Sequence, residues 1–281
     1  MRLRAPLTAL ALAGLAGSVA LAGGSPASGQ AAPSFPPASQ AAIRPGAVMT
    51  TAGAQCTANF LYLGGNGDVL LGYSAHCAAG QAAPTDTNGC TTPSLPLGTP
   101  VTVRGATRPG TLVYSSWIAM QRRGERDRNA CLHNDFALVR LDPADVRRAN
   151  PTVPLFGGPV DLDRDGTRAG EVVVSYGSSS LRLGVTALSP KRGYSLGSSA
   201  GRWTSTVYTA TPGIPGDSGS GVLDGAGRAV GTLSTVTLAP TAGSNGISDL
   251  QRQMAYARVH GVPGLVLLPG TVGFKGAFTL S

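Results

Sequence analysis

The stretch GIPGDSGSG, residues 213–221, constrains the fold more strongly than any other part of the chain. Glycine weakens strand pairing, so this concentration of glycine in a strand-rich region indicates a tight turn that exposes backbone N–H groups. The amides of Gly216 and Ser218 are then expected to point at one spot, which is the arrangement of an oxyanion hole. We therefore predict that Ser218 is a nucleophile and that Gly216 and Ser218 supply the oxyanion donors.

A serine hydroxyl is a weak nucleophile and needs a neighbouring base, most often histidine. The chain has three histidines, and GYSAHCAAG (residues 72–80) places His76 at the end of an apolar run. The base in turn needs a buried carboxylate to fix its tautomer, and HNDFALVRLD (residues 133–142) puts Asp135 directly before an apolar strand. Asp142 is the rival carboxylate in that segment, and the alternative for His76 is a structural histidine beside a disulfide.

The chain after residue 46 is predicted to be mostly β-structure. Short runs rich in Val, Leu and Thr, such as DVLLGYS, FALVRL, EVVVSYG and AVGTLSTVTL, are bounded by Gly, Pro or Asp. Many short strands at this spacing indicate an all-β sandwich or barrel. One helix is predicted over residues 248–261, with Ser248 as its cap and Gly261 as its stop. The Pro- and Gly-rich stretch 147–161 divides the strands into two groups of similar size.

The first 30 residues have the features of a secretory signal. A basic start and an apolar run precede an A-x-A cleavage site at residues 20–22. Residues 31–46, rich in proline and small side chains, are interpreted as a linker or short pro-segment. No later stretch is apolar for long enough to form a transmembrane helix. We therefore predict a secreted, extracellular monomer whose main domain spans residues 47–281.

The composition narrows the classes of partner. The formal net charge is +8, but the basic run at residues 121–128 also carries acidic residues and lacks aromatic side chains for base stacking. This pattern favours a solvated loop over a nucleic-acid site. An even number of cysteines in an exported chain indicates disulfides, and three pairings are open to the four residues Cys56, Cys77, Cys90 and Cys131. Metal-site spacings of cysteine and histidine are absent from the sequence, so neither a metal nor a cofactor is expected.

Three motifs, in the order His, Asp, Ser, resemble those of the chymotrypsin-like serine proteases, especially the secreted bacterial ones. SAHC around His76 is similar to the family's A-A-H-C, NDFALVRL around Asp135 to D-I-A-L-L-x-L, and GDSGSG around Ser218 to G-D-S-G-G-P. The resemblance implies two six-stranded antiparallel β-barrels, an active site in the cleft between them and a C-terminal helix. It also implies an endopeptidase that cleaves proteins or peptides through a triad and an acyl-enzyme intermediate.

The resemblance implies the pairing of the cysteines as well. In the family, the cysteine after the catalytic histidine is joined to one on the preceding strand. This implies a Cys56–Cys77 bridge in the present chain and, with it, a Cys90–Cys131 bridge.

A specificity pocket follows from the same resemblance. The strand VGTLSTV, residues 230–236, resembles the one that pairs with the substrate backbone, and its serine is expected near Asp135. The substrate-binding residues implied are Pro212, Ser234, Thr235 and Val236. Because no acidic residue stands at position 212 and a branched side chain stands at position 236, cleavage is expected after small or medium apolar residues.

The sequence departs from the family pattern in two places. Ser220 and Gly221 stand where the family has glycine and proline, and no I-V-G-G activation site precedes the domain. The stretch IRPGA at residues 43–47 resembles that activation site only weakly. How the protein is activated, and which group pairs with Asp217, are therefore open at this point.

Other interpretations compete with the protease. GSSAG (residues 197–201) matches the nucleophile elbow of α/β-hydrolases, with Ser199 as nucleophile and Asp224 and His260 following, but an elbow needs a strand before it and a helix after it. DLDRDG (residues 161–166) resembles a calcium loop, although its spacing does not fit the EF-hand template. A protease-like domain kept only for binding is the non-enzymatic alternative.

Overall fold

The computed structural model of the protein describes residues 33–80, 88–236 and 243–277. Two antiparallel sheets and a C-terminal helix make up most of this part of the chain. Within these ranges, no helix combines the length and the apolar character needed to cross a bilayer. The signal predicted over residues 1–30 lies outside the described residues.

The first sheet has eight strands, paired in the order β14–β3–β4–β7–β6–β5–β1–β2. Buried and exposed side chains alternate along β1 and β5, as expected for strands with one face on a core, whereas β4 is buried throughout. The strands are β1 (Val48–Thr51), β2 (Ala54–Thr57), β3 (Leu61–Leu63), β4 (Val69–Tyr73), β5 (Pro100–Val103), β6 (Gly110–Ser115), β7 (Ala137–Arg140) and, from the end of the chain, β14 (Val266–Leu267).

The second sheet closes into a six-stranded barrel in the order β10–β13–β12–β11–β8–β9. Branched aliphatic side chains fill its interior: Val173, Val207, Val222, Val230 and Ile247. The strands are β8 (Ala169–Tyr176), β9 (Pro190–Ser199), β10 (Thr204–Thr209), β11 (Gly221–Asp224), β12 (Ala229–Val236) and β13 (Asn245–Asp249).

The predicted all-β fold is confirmed. The stretch 147–161 follows β7 and precedes β8, which is the first strand of the barrel along the chain. The first sheet differs from the prediction in its strand number, eight instead of six. The difference arises partly because the C-terminal β14 returns and pairs with β3, placing Val266 opposite Leu63. A pairing between distant parts of the chain leaves no local signal in the sequence.

The helices are short except at the C-terminus. They are α1 (Ser116–Arg123), α2 (Arg128–His133), α3 (Pro143–Val146) and α4 (Leu250–His260). Helix α4 buries Leu250, Met254 and Ala257, which lie on one face of the helix. Its N-terminal cap is Asp249, whose carboxylate accepts from the amide of Arg252, and not Ser248. Ser248 belongs to β13, where its side chain is buried.

The structure differs from the linker interpretation of residues 31–46. Residues 33–46 belong to the same compact unit as the sheets, and Ile43 is fully buried and bridges to Ala149. The side-chain amide of Asn150 donates to the carbonyl of Pro36 at 2.8 Å. The burial of Ile43, its bridge to Ala149 and the hydrogen bond from Asn150 order this segment. Its composition alone predicted a segment without ordered structure.

Both disulfides implied by the family resemblance are present. Cys56 is bonded to Cys77, and Cys90 is bonded to Cys131. The first joins β2 to the turn after β4, and the second joins the loop before β5 to α2. The described residues contain no free cysteine.

Candidate active site

His76 lies where strand β4 leaves the first sheet. The apolar run of β4 ends at Tyr73, and the chain turns into a short 3-10 helix, Ala75–Ala79. The neighbouring Cys77 is bonded to Cys56. The turn that carries the imidazole is therefore fixed by β4 before it and by the disulfide after it. The His76 side chain is 19% exposed, which leaves part of the ring accessible to a reacting group.

Asp135, just before β7, holds the inner side of the His76 ring. One carboxylate oxygen accepts from the main-chain N–H of His76 at 2.8 Å, and the other lies 2.7 Å from His76 Nδ1. The hydroxyl of Ser234 donates to this second oxygen, also at 2.7 Å. With Nδ1 as donor, a neutral imidazole keeps Nε2 as its acceptor. The structure thus brings together three of the side chains that the sequence predicted.

Burial and charge have opposite effects on this pair. Burial lowers the pKa of His76, but the charge and hydrogen bond of Asp135 outweigh it and leave that pKa above its ordinary value. Burial raises the pKa of Asp135, but the charge and hydrogen bond of His76, with the Ser234 hydroxyl, leave that pKa below its ordinary value. The carboxylate therefore remains ionised at neutral pH, where the imidazole can accept a proton.

A buried glutamine of α4 supports Asp135 from behind. Gln253 Nε2 donates to the main-chain carbonyl of Asp135 at 3.2 Å, and its Oε1 accepts from the hydroxyl of Thr232 at 3.2 Å. Gln253 is fully buried. The sequence predicts the helix but not the role of Gln253, because one glutamine beside an apolar face forms no recognisable motif.

The rival carboxylate, Asp142, lies elsewhere. It caps α3 by accepting from the amide of Ala144 at 2.9 Å, and its other oxygen lies 3.5 Å from the guanidinium of Arg108. Asp135, and not Asp142, is the carboxylate that contacts His76.

Ser218 lies in the loop that precedes β11. Its carbonyl accepts from the main-chain N–H of Thr57 at 2.8 Å, and the N–H of the next residue, Gly219, donates to the carbonyl of Leu233 at 2.6 Å. These bonds join the loop to both sheets, because Thr57 ends β2 and Leu233 belongs to β12.

Gly219 lets this loop approach the turn that carries His76. Its φ is +88°, and a Cβ atom there would lie 2.5 Å from the carbonyl oxygen of Thr57 and 2.9 Å from the amide of Ser74. The half-buried Ser218 is thereby placed beside the end of β4. No hydrogen bond joins the side chains of Ser218 and His76 in the described part of the chain; catalytic contacts of this kind often close only when substrate binds.

The amides of Gly216 and Ser218 are both available to a ligand. Among the described residues, neither N–H donates to a protein acceptor. Gly216 has φ +94°, and a Cβ atom there would lie 2.9 Å from the side-chain nitrogen of Gln55, so the turn requires glycine. Two unpaired amides beside a serine hydroxyl meet one requirement of an oxyanion hole, which is a pair of backbone donors left free for a ligand.

Comparison with solved structures identifies the architecture. Thermobifida fusca Protease A superimposes with a TM-score of 0.52 at 16% sequence identity, covering 82% of this chain and all of that protein. A glutamic acid specific serine protease that uses a histidine triad in substrate binding gives a TM-score of 0.53 at 16% identity, covering 80% and 100%. No protein-family model and no curated protein sequence matches the chain.

The chain has the chymotrypsin-like fold. The sequence left open which group pairs with Asp217, which is buried in the structure. The structure provides two: Lys191 Nζ lies 2.8 Å and the guanidinium of Arg182 lies 2.7 Å from the same Asp217 oxygen. Asp217 is fully buried, Lys191 is 1% exposed and Arg182 is 9% exposed.

The charges of this cluster are strongly coupled. Burial raises the pKa of Asp217, but the charge of Lys191 and the hydrogen bond from Arg182 leave that pKa below its ordinary value. Burial lowers the pKa of Lys191, and the Asp217 charge offsets this only in part. Neither cation belongs to a motif in the sequence, although Lys191 is one of only two lysines in an arginine-rich chain. That rarity was the available signal.

The walls of the implied specificity pocket are joined by Asn245. Its side-chain oxygen accepts from the N–H of Gly213 at 2.7 Å, while its nitrogen donates to the carbonyls of Gly213 and Thr235 at 3.1 and 3.2 Å. Asn245 is 1% exposed. The carbonyl of Pro212 accepts from Arg182 at 2.8 Å, so this residue faces the ion cluster through its main chain. The side chain of Val236 lies outside the described residues.

The α/β-hydrolase interpretation is wrong for this fold. Ser199 ends β9 and is followed by a 3-10 turn and then by β10, so the strand-to-helix elbow is missing. Asp224 binds the guanidinium of Arg228 at 2.7 Å, and His260 ends α4 with its ring against Tyr256.

The calcium-loop resemblance has a structural explanation. Asp163 accepts from the amides of Asp165 and Gly166 with one oxygen, at 3.0 and 2.7 Å. Its other oxygen lies 3.1 Å from the guanidinium of Arg228. An arginine thus already provides the positive charge that a cation would supply. Near the candidate site, Cys56, His76 and Cys77 cluster, but both sulfurs are in the disulfide and are not thiolate ligands.

Proposed function

We propose that this protein is a serine endopeptidase with Ser218 as nucleophile, His76 as general base and Asp135 as the group that orients the base. One observation carries the proposal: a hydrogen-bonded chain from Ser234 through Asp135 to His76 lies beside a loop with two unpaired amides. The chymotrypsin-like fold supports the same activity.

The geometry fits acyl transfer in two stages. Ser218 Oγ bonds to the carbonyl carbon of the scissile peptide, His76 Nε2 takes the hydroxyl proton, and the carbonyl electron pair moves to oxygen. The amides of Gly216 and Ser218 stabilise that oxyanion. Cleavage of the C–N bond releases the amine, which takes the proton from His76. Water then attacks the acyl-enzyme through the same base and releases the acid.

A fluorophosphonate label and a peptidase assay test this proposal together. The wild-type protein should be labelled at Ser218 and should hydrolyse a mixed peptide library. Ser218→Ala should lose the label and lower kcat by several orders of magnitude while keeping the fold. Ser199→Ala, at the rejected elbow serine, is the matched control and should keep both. An unlabelled, inactive wild type would instead favour the binding-domain alternative.

For the substrate, we propose cleavage after small or medium apolar residues. The segment from Thr204 to Gly216 has no acidic side chain, and Asn245 fills space between the backbone walls at Gly213 and Thr235. A buried Arg or Lys of the substrate would lack a partner there, which costs several kcal/mol. Peptide-library profiling checks this, and a dominant cut after Arg or Lys would contradict it.

We further propose that the protein acts outside the cell. The basic and apolar N-terminus resembles a secretory signal, and two disulfides suit an oxidising compartment. N-terminal sequencing of the protein recovered from the medium of an expressing bacterium tests this. The expected N-terminus falls between residues 23 and 32, ahead of the buried Ile43. Retention of the whole chain in the cytoplasm would be the contrary result.

A further inference from the structure

We infer that two serine hydroxyls, of Ser179 and Ser220, hold the peptide planes of the oxyanion hole in their working orientation before substrate binds. The inference rests on the proposed function, since it concerns the donors of the same site. Neither serine belongs to the predicted triad or to the predicted oxyanion donors. Ser220 is also one of the two places where the chain departs from the family motif.

The peptide between Pro215 and Gly216 is held by Ser179. The Ser179 hydroxyl donates to the carbonyl of Pro215 at 2.5 Å. In a trans peptide the C=O and the N–H point in opposite directions. The Gly216 N–H is therefore turned away from Ser179, and it finds no protein acceptor among the described residues.

The peptide between Asp217 and Ser218 is held in a similar way by Ser220. The Ser220 hydroxyl donates to the carbonyl of Asp217 at 2.5 Å, and the Ser220 N–H donates to the same oxygen at 3.1 Å. The Ser218 N–H is consequently turned away from Ser220 and is also left unpaired. Ser220 is fully buried, so water does not compete for its hydroxyl.

The intervening peptide is fixed from a third side. The carbonyl of Gly216 accepts from the hydroxyl of Thr57 at 2.8 Å, and the N–H of Asp217 donates to the carbonyl of Ile214 at 2.9 Å. Three successive carbonyls thus each have a hydroxyl donor. This leaves the two outer amides as the free donors of the segment.

Ser179 is itself well anchored. It is 6% exposed, its N–H donates to Asp217 Oδ1 at 3.0 Å, and its hydroxyl oxygen accepts from the N–H of Leu181 at 3.2 Å. The hydroxyl therefore has a defined direction. The ion cluster around Asp217 and the hydrogen bond to Pro215 form one connected unit.

The Ser179 bond matters because the peptide it holds can rotate. Gly216 has no Cβ atom and tolerates both signs of φ. A rotated plane would point the Pro215 carbonyl towards the developing oxyanion and replace an attraction by a repulsion. Removing one hydrogen bond shifts such an equilibrium about five- to tenfold. Losing the donor altogether lowers kcat about a hundred- to a thousandfold.

The test compares Ser179→Ala with Ser178→Ala. The Ser178 hydroxyl donates to the carbonyl of Gly46 at 2.6 Å and does not contact the oxyanion loop, so its removal is a matched control. We expect Ser179→Ala to lower kcat by up to about five- to tenfold with KM nearly unchanged, and Ser178→Ala to stay within about twofold of wild type. Ser220→Ala should show a smaller loss than Ser179→Ala, because the backbone bond to Asp217 remains.

A peptide aldehyde separates positioning from general damage. The aldehyde adds to Ser218 and forms a tetrahedral oxyanion, so its Ki should rise in proportion to the fall in kcat/KM. Melting temperatures are measured alongside. The inference is overturned if Ser179→Ala matches Ser178→Ala in kcat, or if kcat falls while aldehyde affinity does not. If the wild type neither hydrolyses peptides nor takes the fluorophosphonate label, the proposed function fails first and takes this inference with it.

Discussion

At the scale of single residues, the imidazole of His76 is subject to two opposing effects. Burial removes water from the ring and favours the neutral form, whereas the ionised Asp135 at 2.7 Å favours the charged form. The carboxylate wins, so the pKa of His76 lies above its ordinary value. A base with a raised pKa is neutral, and therefore active, only above that pKa.

The first prediction concerns the pH dependence of kcat/KM. Activity should be full above the raised pKa of His76 and should fall as the pH drops through a midpoint above 6.5, the ordinary value. In Asp135→Asn only burial remains, so the midpoint of the residual activity should move below 6.5 while the rate falls about 10⁴-fold. Steady-state kinetics from pH 5 to 9 measures both midpoints. A wild-type midpoint below that of Asp135→Asn would contradict the assignment of the base.

Asp217 shows the same competition in a fully buried setting. In the folded protein the Asp217 carboxylate is paired with the cations of Arg182 and Lys191. Removing the negative charge of Asp217 leaves these two positive charges buried without a counter-charge. The pKa of Lys191 is already lowered by burial. Without Asp217, Lys191 has no counter-charge to oppose that effect.

Asp217→Asn is therefore expected to lower the free energy of unfolding by about 3–5 kcal/mol at pH 7. The loss should shrink as pH rises and Lys191 gives up its proton. Adding Lys191→Met to this variant should recover part of the loss, because one buried charge disappears. Denaturant unfolding measures each variant, with Asp165→Asn, an exposed acid, as control within about 0.5 kcal/mol. No recovery in the double variant would count against the ion cluster.

At the scale of secondary-structure elements, the short connections hold most of the candidate catalytic side chains. Strand β4 ends in the turn with His76, β7 begins just after Asp135, and the loop before β11 holds Ser218. Strand β12 adds Ser234, and α4 lies behind them with Gln253. The strands could be predicted because their apolar runs are local. The role of α4 could not, because Gln253 acts through a carbonyl 118 positions away.

Replacing Gln253 tests this role of the helix. Gln253→Met should leave the Asp135 carbonyl without its donor and cost about 1–3 kcal/mol of unfolding free energy. It should also lower kcat, because Asp135 is less firmly placed. Gln251→Met, on the same helix but only half-buried, is the control. Equal kcat in the two variants would show that α4 contributes packing alone.

At the scale of the whole molecule, two covalent links act on different parts of the fold. The Cys56–Cys77 bridge closes a separation of 21 residues and the Cys90–Cys131 bridge one of 41. In the chain-entropy account, such loops contribute about 3 and about 4 kcal/mol. The longer loop therefore stabilises somewhat more, but the shorter one is adjacent to His76.

Stability and activity should consequently separate when the bridges are removed. The double variant Cys90→Ser with Cys131→Ser should lose more stability and keep near-normal kcat below its melting temperature. Cys56→Ser with Cys77→Ser should lose less stability and more kcat, because the turn of His76 is released. Calorimetry and steady-state kinetics on both variants check this. The opposite ranking of kcat would argue that the first bridge does not position the base.

The sequence by itself determined the parts whose signals are local. Many short apolar runs bounded by Gly, Pro or Asp predicted the all-β class, and the motifs around His76, Asp135 and Ser218 indicated the side chains of the candidate site. Tertiary structure decided the rest: the ordering of residues 33–46 by the burial of Ile43, the return of β14, and the buried partners of Asp217. Hydrogen bonds and ion pairs between distant segments depend on where each strand lies in the fold. A hydroxyl such as that of Ser179 gains its role only when folding places Pro215 against it.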